Sequence, residues 1–229
     1  MATDLAAQAA DKIFESIRNG TFAPDKALLP EAALAEYLGI SRLTMREGVK
    51  ALTARGVLTA IQGKGTFVVP FDEWTDLDAV ISITAAQLSP HDLGIKLIEV
   101  RRMIEVGAAG LAAVCRTEAQ LDRMSELLGQ YEDAHNRDAI DEATEIDMNF
   151  HKLIAEASGN PFLPVILRSL EEPLHKVRAG TSAKRAIRER ALGHHAAIFA
   201  AIKAGDATEA KETMRAHMTQ TRQDIDTCF

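Results

Sequence analysis

Apolar residues recur at helical spacing near the start of the chain. Ile13 and Ile17 lie on one such stripe, which an Asn-Gly pair then ends. Pro30 stands where a second helix begins, and Gly39 closes that helix. Ser41 follows as an N-cap candidate for a third helix. The pattern therefore predicts three helices in the first 55 residues or so.

Two short β-prone runs come next, at residues 57–61 and 66–69. Gly63-Lys64-Gly65 stands between them, and glycine-rich residues between two such runs are typical of a hairpin. Three helices followed by a hairpin form the order of a winged helix-turn-helix. We predict this DNA-binding domain over residues 1–70.

The rest of the chain shows helical periodicity and no strand pattern. Residues 71–90 are predicted to form a linker and a connecting helix, and residues 91–229 an all-helical domain. The predicted helical segments are 76–87, 91–115, 118–136, 138–157, 161–178, 184–204 and 206–226. The predicted fold is therefore mostly α, with a C-terminal all-helical antiparallel bundle behind the winged domain.

Composition and charge narrow the class of protein. The net charge is −7, but residues 1–70 hold eight Lys and Arg against seven Asp and Glu. Residues 41–65 carry five basic side chains and one acidic one, which is a local footprint for nucleic acid. No apolar run is long enough to span a bilayer, and the two cysteines predict no disulfide framework. We expect a cytoplasmic protein with no membrane partner.

The third helix and the hairpin tip carry the residues suited to DNA. Arg42 and Arg46 lie four apart, and an arginine can bind guanine O6 and N7 with two hydrogen bonds. The hydroxyls of Ser41 and Thr44 suit phosphates, and the Gly63-Lys64-Gly65 tip lets backbone and ammonium approach the sugar–phosphate chain. The alternative is a surface helix with solvated arginines.

Residues 7–70 resemble the winged helix-turn-helix of the GntR regulators. The resemblance is carried by Leu34-Ala35, Leu38-Gly39-Ile40-Ser41-Arg42, Arg46-Glu47, Leu52, Arg55-Gly56 and Gly63-Lys64-Gly65-Thr66-Phe67-Val68. It implies that Ser41, Arg42, Thr44, Arg46 and the Gly63–Gly65 wing contact operator DNA. Many relatives have an arginine where this chain has Ala32, which implies fewer direct base contacts here.

Asp147, His151, His195 and His217 form a possible metal-binding set. The first two are four apart, so they project from one helix face, and the two later histidines lie on apolar stripes of two further helices. Each histidine alone is compatible with a hydrogen-bonded core position. Three inward imidazoles and a carboxylate are costly to bury without a partner, and such ligands suit Zn, Ni, Mn or Fe. His194 is rotated about 100° away from His195 by helix geometry.

Arg101 lies on the buried stripe of a long predicted helix, with Glu105 four residues later. One interpretation is an internal ion pair between these two side chains. The other is a clamp for the carboxylate of a ligand. The pattern alone leaves both open.

Residues 93–226 resemble the FCD effector domain of the FadR subfamily. The resemblance is carried by Glu99-Val100-Arg101 with Glu105, Asp147 to His151, Ala157-Ser158-Gly159-Asn160-Pro161, His195-Ala196-Ala197-Ile198, Gly205-Asp206 and Met214-Arg215-Ala216-His217. It implies that Asp147, His151, His195 and His217 ligate one divalent metal ion per subunit, with zinc as first choice and Ni, Mn or Fe as alternatives. It also implies a small carboxylate effector near Arg101.

The combined prediction is a ligand-responsive transcriptional regulator rather than an enzyme. We expect a homodimeric repressor that binds a pseudopalindromic operator and is released by a small organic acid such as a sugar acid or hydroxycarboxylate. One alternative is a metal-dependent hydrolase or lyase of small acids. Another is a regulator in which the metal is purely structural.

Overall fold

The computed structural model describes residues 2–24 and 26–229. The chain divides into two compact units, Met1–Gln87 and Leu88–Phe229. Among the described residues, no helix is both long and apolar enough to cross a membrane.

The first unit begins with three helices and a two-stranded antiparallel sheet, as predicted. These elements are α1 (Ala2–Arg18), α2 (Glu31–Leu38), α3 (Arg42–Ala54), β1 (Leu58–Ile61) and β2 (Gly65–Val68). Gly39 ends α2 in the left-handed conformation at φ 67°, which favours glycine. Ser41 caps α3, because its hydroxyl accepts a hydrogen bond from Thr44 N at 3.1 Å.

The hairpin pairs Leu58 with Val68 at its base and Ile61 with Gly65 at its tip. Gly63 and Gly65 have φ values of 75° and 115°, so the tight turn requires residues without a side chain. A wing of fixed register thus follows the third helix.

The segment after the wing packs back onto the same unit. Trp74 is buried, donates its Nε1–H to Val69 O at 2.9 Å, and contacts Phe71 edge to face. The helix α4 (Leu77–Gln87) adds Ala79 and Ile83 to the core that the first three helices share. Much of the segment predicted as linker and connecting helix is therefore ordered against the winged fold.

The second unit is a bundle of seven helices among the described residues. They are α5 (Pro90–Cys115), α6 (Glu118–Asn136), α7 (Ile140–Ala157), α8 (Phe162–Ser169), α9 (Glu171–Ser182), α10 (Arg185–Ala204) and α11 (Ala207–Cys228). The long helix α5 packs against α11 and α7, and α10 packs against α6 and α11. These contacts bring the inner faces of α5, α7, α10 and α11 together at one core.

One predicted helix is wrong in extent. The expected helix over residues 161–178 is two helices, with Leu170 at the end of α8 and the start of α9. Pro173 lies in the first turn of α9, where its missing N–H is tolerated. Inside one continuous helix, its ring would clash with the carbonyl of Ser169, so the chain breaks there and starts a new helix.

Candidate functional site

The candidate DNA-facing surface is the N-terminal half of α3. Arg42 and Arg46 are exposed, whereas Met45 and Val49 on the opposite face are buried in the core of the first unit. Leu43 lies between Arg42 and Arg46 in the chain and is 66 % exposed. It offers an apolar contact that the sequence pattern did not single out. An exposed pair of arginines on a helix held by its buried face suits insertion into a groove.

Ser41 and Thr44 are joined to each other at the start of α3. Their hydroxyl oxygens lie 2.7 Å apart, in addition to the capping bond. At the wing, Gly63, Lys64 and Gly65 are all exposed, and Lys64 N donates to Ile61 O at 3.0 Å. The structure thus leaves the helix start and the wing tip of this unit accessible to solvent.

Three buried histidines from three helices meet in the second unit. His151 of α7, His195 of α10 and His217 of α11 each offer a ring nitrogen within 4.8 Å of the other two. The Nε2 atoms of His151 and His217 are 3.2 Å apart. The buried Nε2 of His195 makes no hydrogen bond among the described residues, although a carboxylate oxygen of Asp147 lies 3.3 Å away. A buried polar atom without a partner is costly, and a metal ion would satisfy it.

Asp147 joins the histidines from one turn earlier on α7. Its Oδ1 lies 3.3 Å from His195 Nε2 and 3.9 Å from His151 Nε2. Its Oδ2 contacts Nη1 of Arg178 on α9. One carboxylate oxygen therefore faces the imidazoles and the other faces a guanidinium.

The imidazoles are held in the form that binds metals. Burial lowers the pKa of His151, and it lowers the pKa values of His195 and His217 well below the usual value. A neutral imidazole has a free lone pair on one nitrogen. Three neutral imidazoles and one carboxylate form a donor set that fits a divalent ion such as zinc.

Glu105 of α5 supports His151 from behind. Its Oε2 lies 2.5 Å from His151 Nδ1. Burial alone would raise the pKa of Glu105, but the charge of Arg101 and the contact with His151 lower it below the usual value. A carboxylate on one ring nitrogen fixes the tautomer and leaves the other nitrogen free for a metal.

Arg101 is buried and pairs with Glu105 within α5. Its Nε donates to Glu105 Oε1 at 2.6 Å and its Nη2 to Oε2 at 3.4 Å. The internal ion pair is therefore formed. Arg101 also lines a cavity beside the histidines, so its position is compatible with a ligand-binding role as well.

Two cavities adjoin the histidine cluster. We call the first the central cavity; it measures about 40 Å³ and is lined by Arg101, Asp147, Arg178, His194 and His217, among others. We call the second the side cavity; it measures about 130 Å³ and is lined by Glu105, Met148, His151, Lys152 and Arg178, among others. Arg178 borders both.

Helix geometry predicts that His195 faces inward and that His194 is turned aside. The structure buries His195 against Asp147 and leaves His194 half-buried, with its ring centre 5.5 Å from that of His217. His194 borders the central cavity, so it lies near the cluster without entering it.

Sequence reasoning missed Arg178 and the contact of Glu105 with His151. Leu174, Arg178 and Thr181 are all buried and recur at helical spacing on α9. An arginine on a buried stripe is the same pattern that drew attention to Arg101. The predicted helix ends at residue 178, whereas α9 continues to Ser182 and so places Arg178 inside a helix.

Comparisons with known proteins agree with this architecture. Residues 5–68 match the family described as bacterial regulatory proteins, gntR family, and residues 96–220 match the FCD domain. The HTH-type transcriptional regulator LutR of Bacillus subtilis is 32 % identical over 208 residues, which cover 89 % of this chain and 93 % of that protein. The putative L-lactate dehydrogenase operon regulatory protein of Escherichia coli is 29 % identical and covers 94 % and 84 %.

A solved structure extends the likeness to three dimensions. The Streptococcus agalactiae GntR structure has a TM-score of 0.55 at 27 % identity and covers 95 % of this chain and 99 % of that one. Both domains of the chain therefore have counterparts, in the same order, in one relative.

Proposed function

Since the chain belongs to the GntR family of bacterial transcriptional regulators and carries the FCD domain of the FadR subfamily, we propose that it is a repressor that binds a pseudopalindromic operator as a homodimer. A small hydroxycarboxylate bound at a metal site in the helical unit releases it. GntR regulators bind operator DNA and FCD domains bind small-molecule effectors.

The proposed operator contacts are Arg42 and Arg46 with base edges, and Ser41, Thr44 and the Gly63–Gly65 wing with the sugar–phosphate backbone. The exposure of both arginines beside a buried helix face supports the first assignment. The glycine-flanked Lys64 supports the second, because a small exposed turn allows close approach to phosphates.

The proposed metal ligands are Asp147, His151, His195 and His217. One observation carries this proposal: three buried imidazole nitrogens converge within 4.8 Å, with a carboxylate oxygen beside them. Zinc is the first candidate, since its usual ligands are imidazole nitrogen and carboxylate oxygen, and Ni, Mn or Fe are alternatives. When bound, such an ion supplies a positively charged anchor for an anionic oxygen.

The effector class follows from the charges around the cavity. Arg101 and Arg178 border the central cavity together with Asp147 and Asp224, and the charge of a bound metal ion would favour an anion over a neutral ligand there. A space of about 40 Å³ admits about three waters, which is close to the size of one carboxylate group. Since one relative is named for an L-lactate dehydrogenase operon, L-lactate is the first compound to test. Arg101 is the proposed effector-binding residue.

The homodimer is proposed from operator geometry and from an apolar face on α5. Met103 and Val114 are 74 % and 67 % exposed, and Leu111 lies between them at helical spacing. Exposed apolar side chains in a row are typical of a contact surface. Sedimentation should show a particle of about twice the 24.9 kDa chain mass; a monomer at micromolar concentration would contradict this assignment.

The direct test of the function is operator release. An operator is selected from random DNA by the protein itself, and binding is followed by fluorescence anisotropy with and without L-lactate, glycolate and citrate. Reciprocal coupling requires that any anion that lowers operator affinity also binds more weakly to the DNA-bound protein. Failure to select any DNA sequence would refute the regulator assignment.

A further inference from the structure

Arg178 is a buried cation beside the proposed site, where it is neither a proposed metal ligand nor the proposed effector-binding residue. It lies on α9 and is only 7 % exposed. Its guanidinium contacts Asp147 Oδ2 and borders both the central and the side cavity. A long charged side chain is seldom buried so completely unless it is paired.

Arg101 and Arg178 are paired differently. Arg101 directs two nitrogens to Glu105, four residues along its own helix. Arg178 relies on Asp147, which lies on another helix and turns its second oxygen toward His195. Arg101 therefore has a local acid that lies outside the proposed ligand set, whereas Arg178 depends on an acid that belongs to that set.

The charges beside the histidine cluster balance without a metal ion, and the other two buried charged side chains, Arg188 and Asp224, pair with Asp138 and Arg190. Arg101 and Arg178 supply two positive charges and Glu105 and Asp147 supply two negative ones, while imidazoles bind a metal ion in their neutral form. A divalent ion among the histidines leaves this set with two positive charges in excess. Excess buried charge is unfavourable unless an anion compensates it.

The excess positive charge affects Asp147 directly. The negative charge of Asp147 would be shared between a bound ion and the guanidinium of Arg178. Arg178 would therefore lose part of its counter-charge, whereas Arg101 would keep the whole of its ion pair with Glu105. A guanidinium that borders an open space and lacks a full counter-charge is suited to bind a carboxylate with two hydrogen bonds.

We propose that Arg178 is a second effector-binding residue, and that it receives the effector's carboxylate only when a divalent ion occupies the histidine cluster. This inference rests on the proposed metal site. It makes the ligand a carboxylate anion, because negative charge on the ligand offsets the excess of two positive charges. It also makes anion binding conditional on the metal, through the shared Asp147.

The test compares Arg178→Gln with Lys176→Gln, using the full chain. Lys176 lies on the same helix, but its side chain is exposed, so this control removes one positive charge outside the cavity. Zinc affinity is measured by competition with a chromophoric chelator. Affinities for L-lactate, glycolate and citrate are measured by calorimetry on zinc-loaded and zinc-free protein.

The expected result separates the two ligands. Arg178→Gln should lower the affinity for whichever of these anions the wild-type protein binds by about tenfold or more, the range for losing a charged hydrogen bond. Its zinc affinity should stay within about tenfold of wild type. Lys176→Gln should match wild type in both. Wild-type protein without zinc should bind these anions at least about tenfold more weakly than with zinc. Arg178→Lys keeps the charge, so it folds with the same balance and should show a smaller loss of anion affinity.

Each contrary result has a distinct meaning. Unchanged anion affinity in both Arg178 variants would overturn this inference and leave the proposed metal site intact. Equal loss of zinc and anion affinity would also overturn it, because Arg178 would then only orient Asp147. Wild-type protein that binds zinc but none of the three anions would overturn the proposed effector class, and this inference with it. Wild-type protein that binds no zinc would refute the proposed metal site itself.

Discussion

Glu105 Oε2 lies 2.5 Å from His151 Nδ1, and this contact joins the long helix α5 to the histidine cluster. The same carboxylate accepts hydrogen bonds from two nitrogens of Arg101. One buried acid therefore connects the proposed effector-binding arginine to a proposed metal ligand. Its loss should affect metal binding, although Glu105 is not itself a proposed ligand.

Glu105→Gln tests this connection. The neutral amide keeps the shape of the side chain but removes the charge that favours the Nδ1–H tautomer of His151. We expect zinc affinity to fall by about 10- to 100-fold, as is usual when the support of a ligating histidine is removed. Competition with a chelator measures this. Glu99→Gln is the control, because Glu99 is a half-buried carboxylate of α5 that pairs with Lys96 instead of a histidine. An equal loss there would refute the orienting role.

His195→Ala and His194→Ala distinguish two neighbouring histidines. Only His195 is fully buried and lies beside Asp147. We expect His195→Ala to lower the zinc content measured by mass spectrometry of the purified protein, and His194→Ala to keep the wild-type content. Comparable zinc loss in both variants would mean that the cluster is assembled differently.

The difference between His195 and His194 shows what sequence periodicity can predict, which is the helix face on which a residue lies. Helical spacing placed His195 inward and His194 aside, because neighbours on a helix point about 100° apart. The same spacing put Arg42 and Arg46, four residues apart, on one face of the third helix, since a helix face is set by local geometry alone.

Contacts between distant segments could not be obtained in this way. Asp147 contacts Arg178 and Glu105 contacts His151 across different helices, so both depend on how the bundle packs. The break at Leu170 was missed because the apolar period continues through it, while the steric demand of Pro173 decides the backbone. The order of elements was predictable, and the inner pairing of charges was not.

Arg46→Ala should weaken binding to a selected operator by about 5- to 150-fold per half-site, the range for one lost bidentate base contact. The helix should stay intact, because Arg46 is exposed and the core face is carried by Met45 and Val49. Anisotropy measures the affinity, and sedimentation shows whether assembly is unchanged. Arg123→Ala on the exposed face of α6 is the control. Specific binding at wild-type strength in Arg46→Ala would contradict the assignment of the recognition helix.

Asp76 ties the end of α3 to the start of α4. It accepts from Arg55 Nε at 3.1 Å and Nη2 at 2.9 Å, and from Ala79 N at 2.8 Å. The hydrogen bond from Arg55 lowers the pKa of Asp76 in the folded chain. Its stabilising contribution is therefore complete above the ordinary carboxyl pKa of about 4 and is lost as pH falls through the lowered value.

Asp76→Asn isolates this ion pair, because asparagine can still cap α4. We expect the free energy of unfolding to fall by about 1 kcal/mol at pH 7. The loss is small because solvent screens an ion pair that is partly exposed. The difference from wild type should shrink as pH falls below about 4. Trp74, the one tryptophan, reports unfolding of the first unit by fluorescence in urea. A difference that is constant from pH 7 to pH 3 would mean that charge is not its origin.

The central claim is that a metal ion and a small carboxylate act together to release the operator. The most direct measurement is L-lactate titration of the protein–operator complex, followed by anisotropy, in zinc-loaded and chelator-treated samples of matched concentration. We predict release from the zinc-loaded complex and little or none from the zinc-free complex at the same L-lactate concentration. Equal release in both samples would contradict the account.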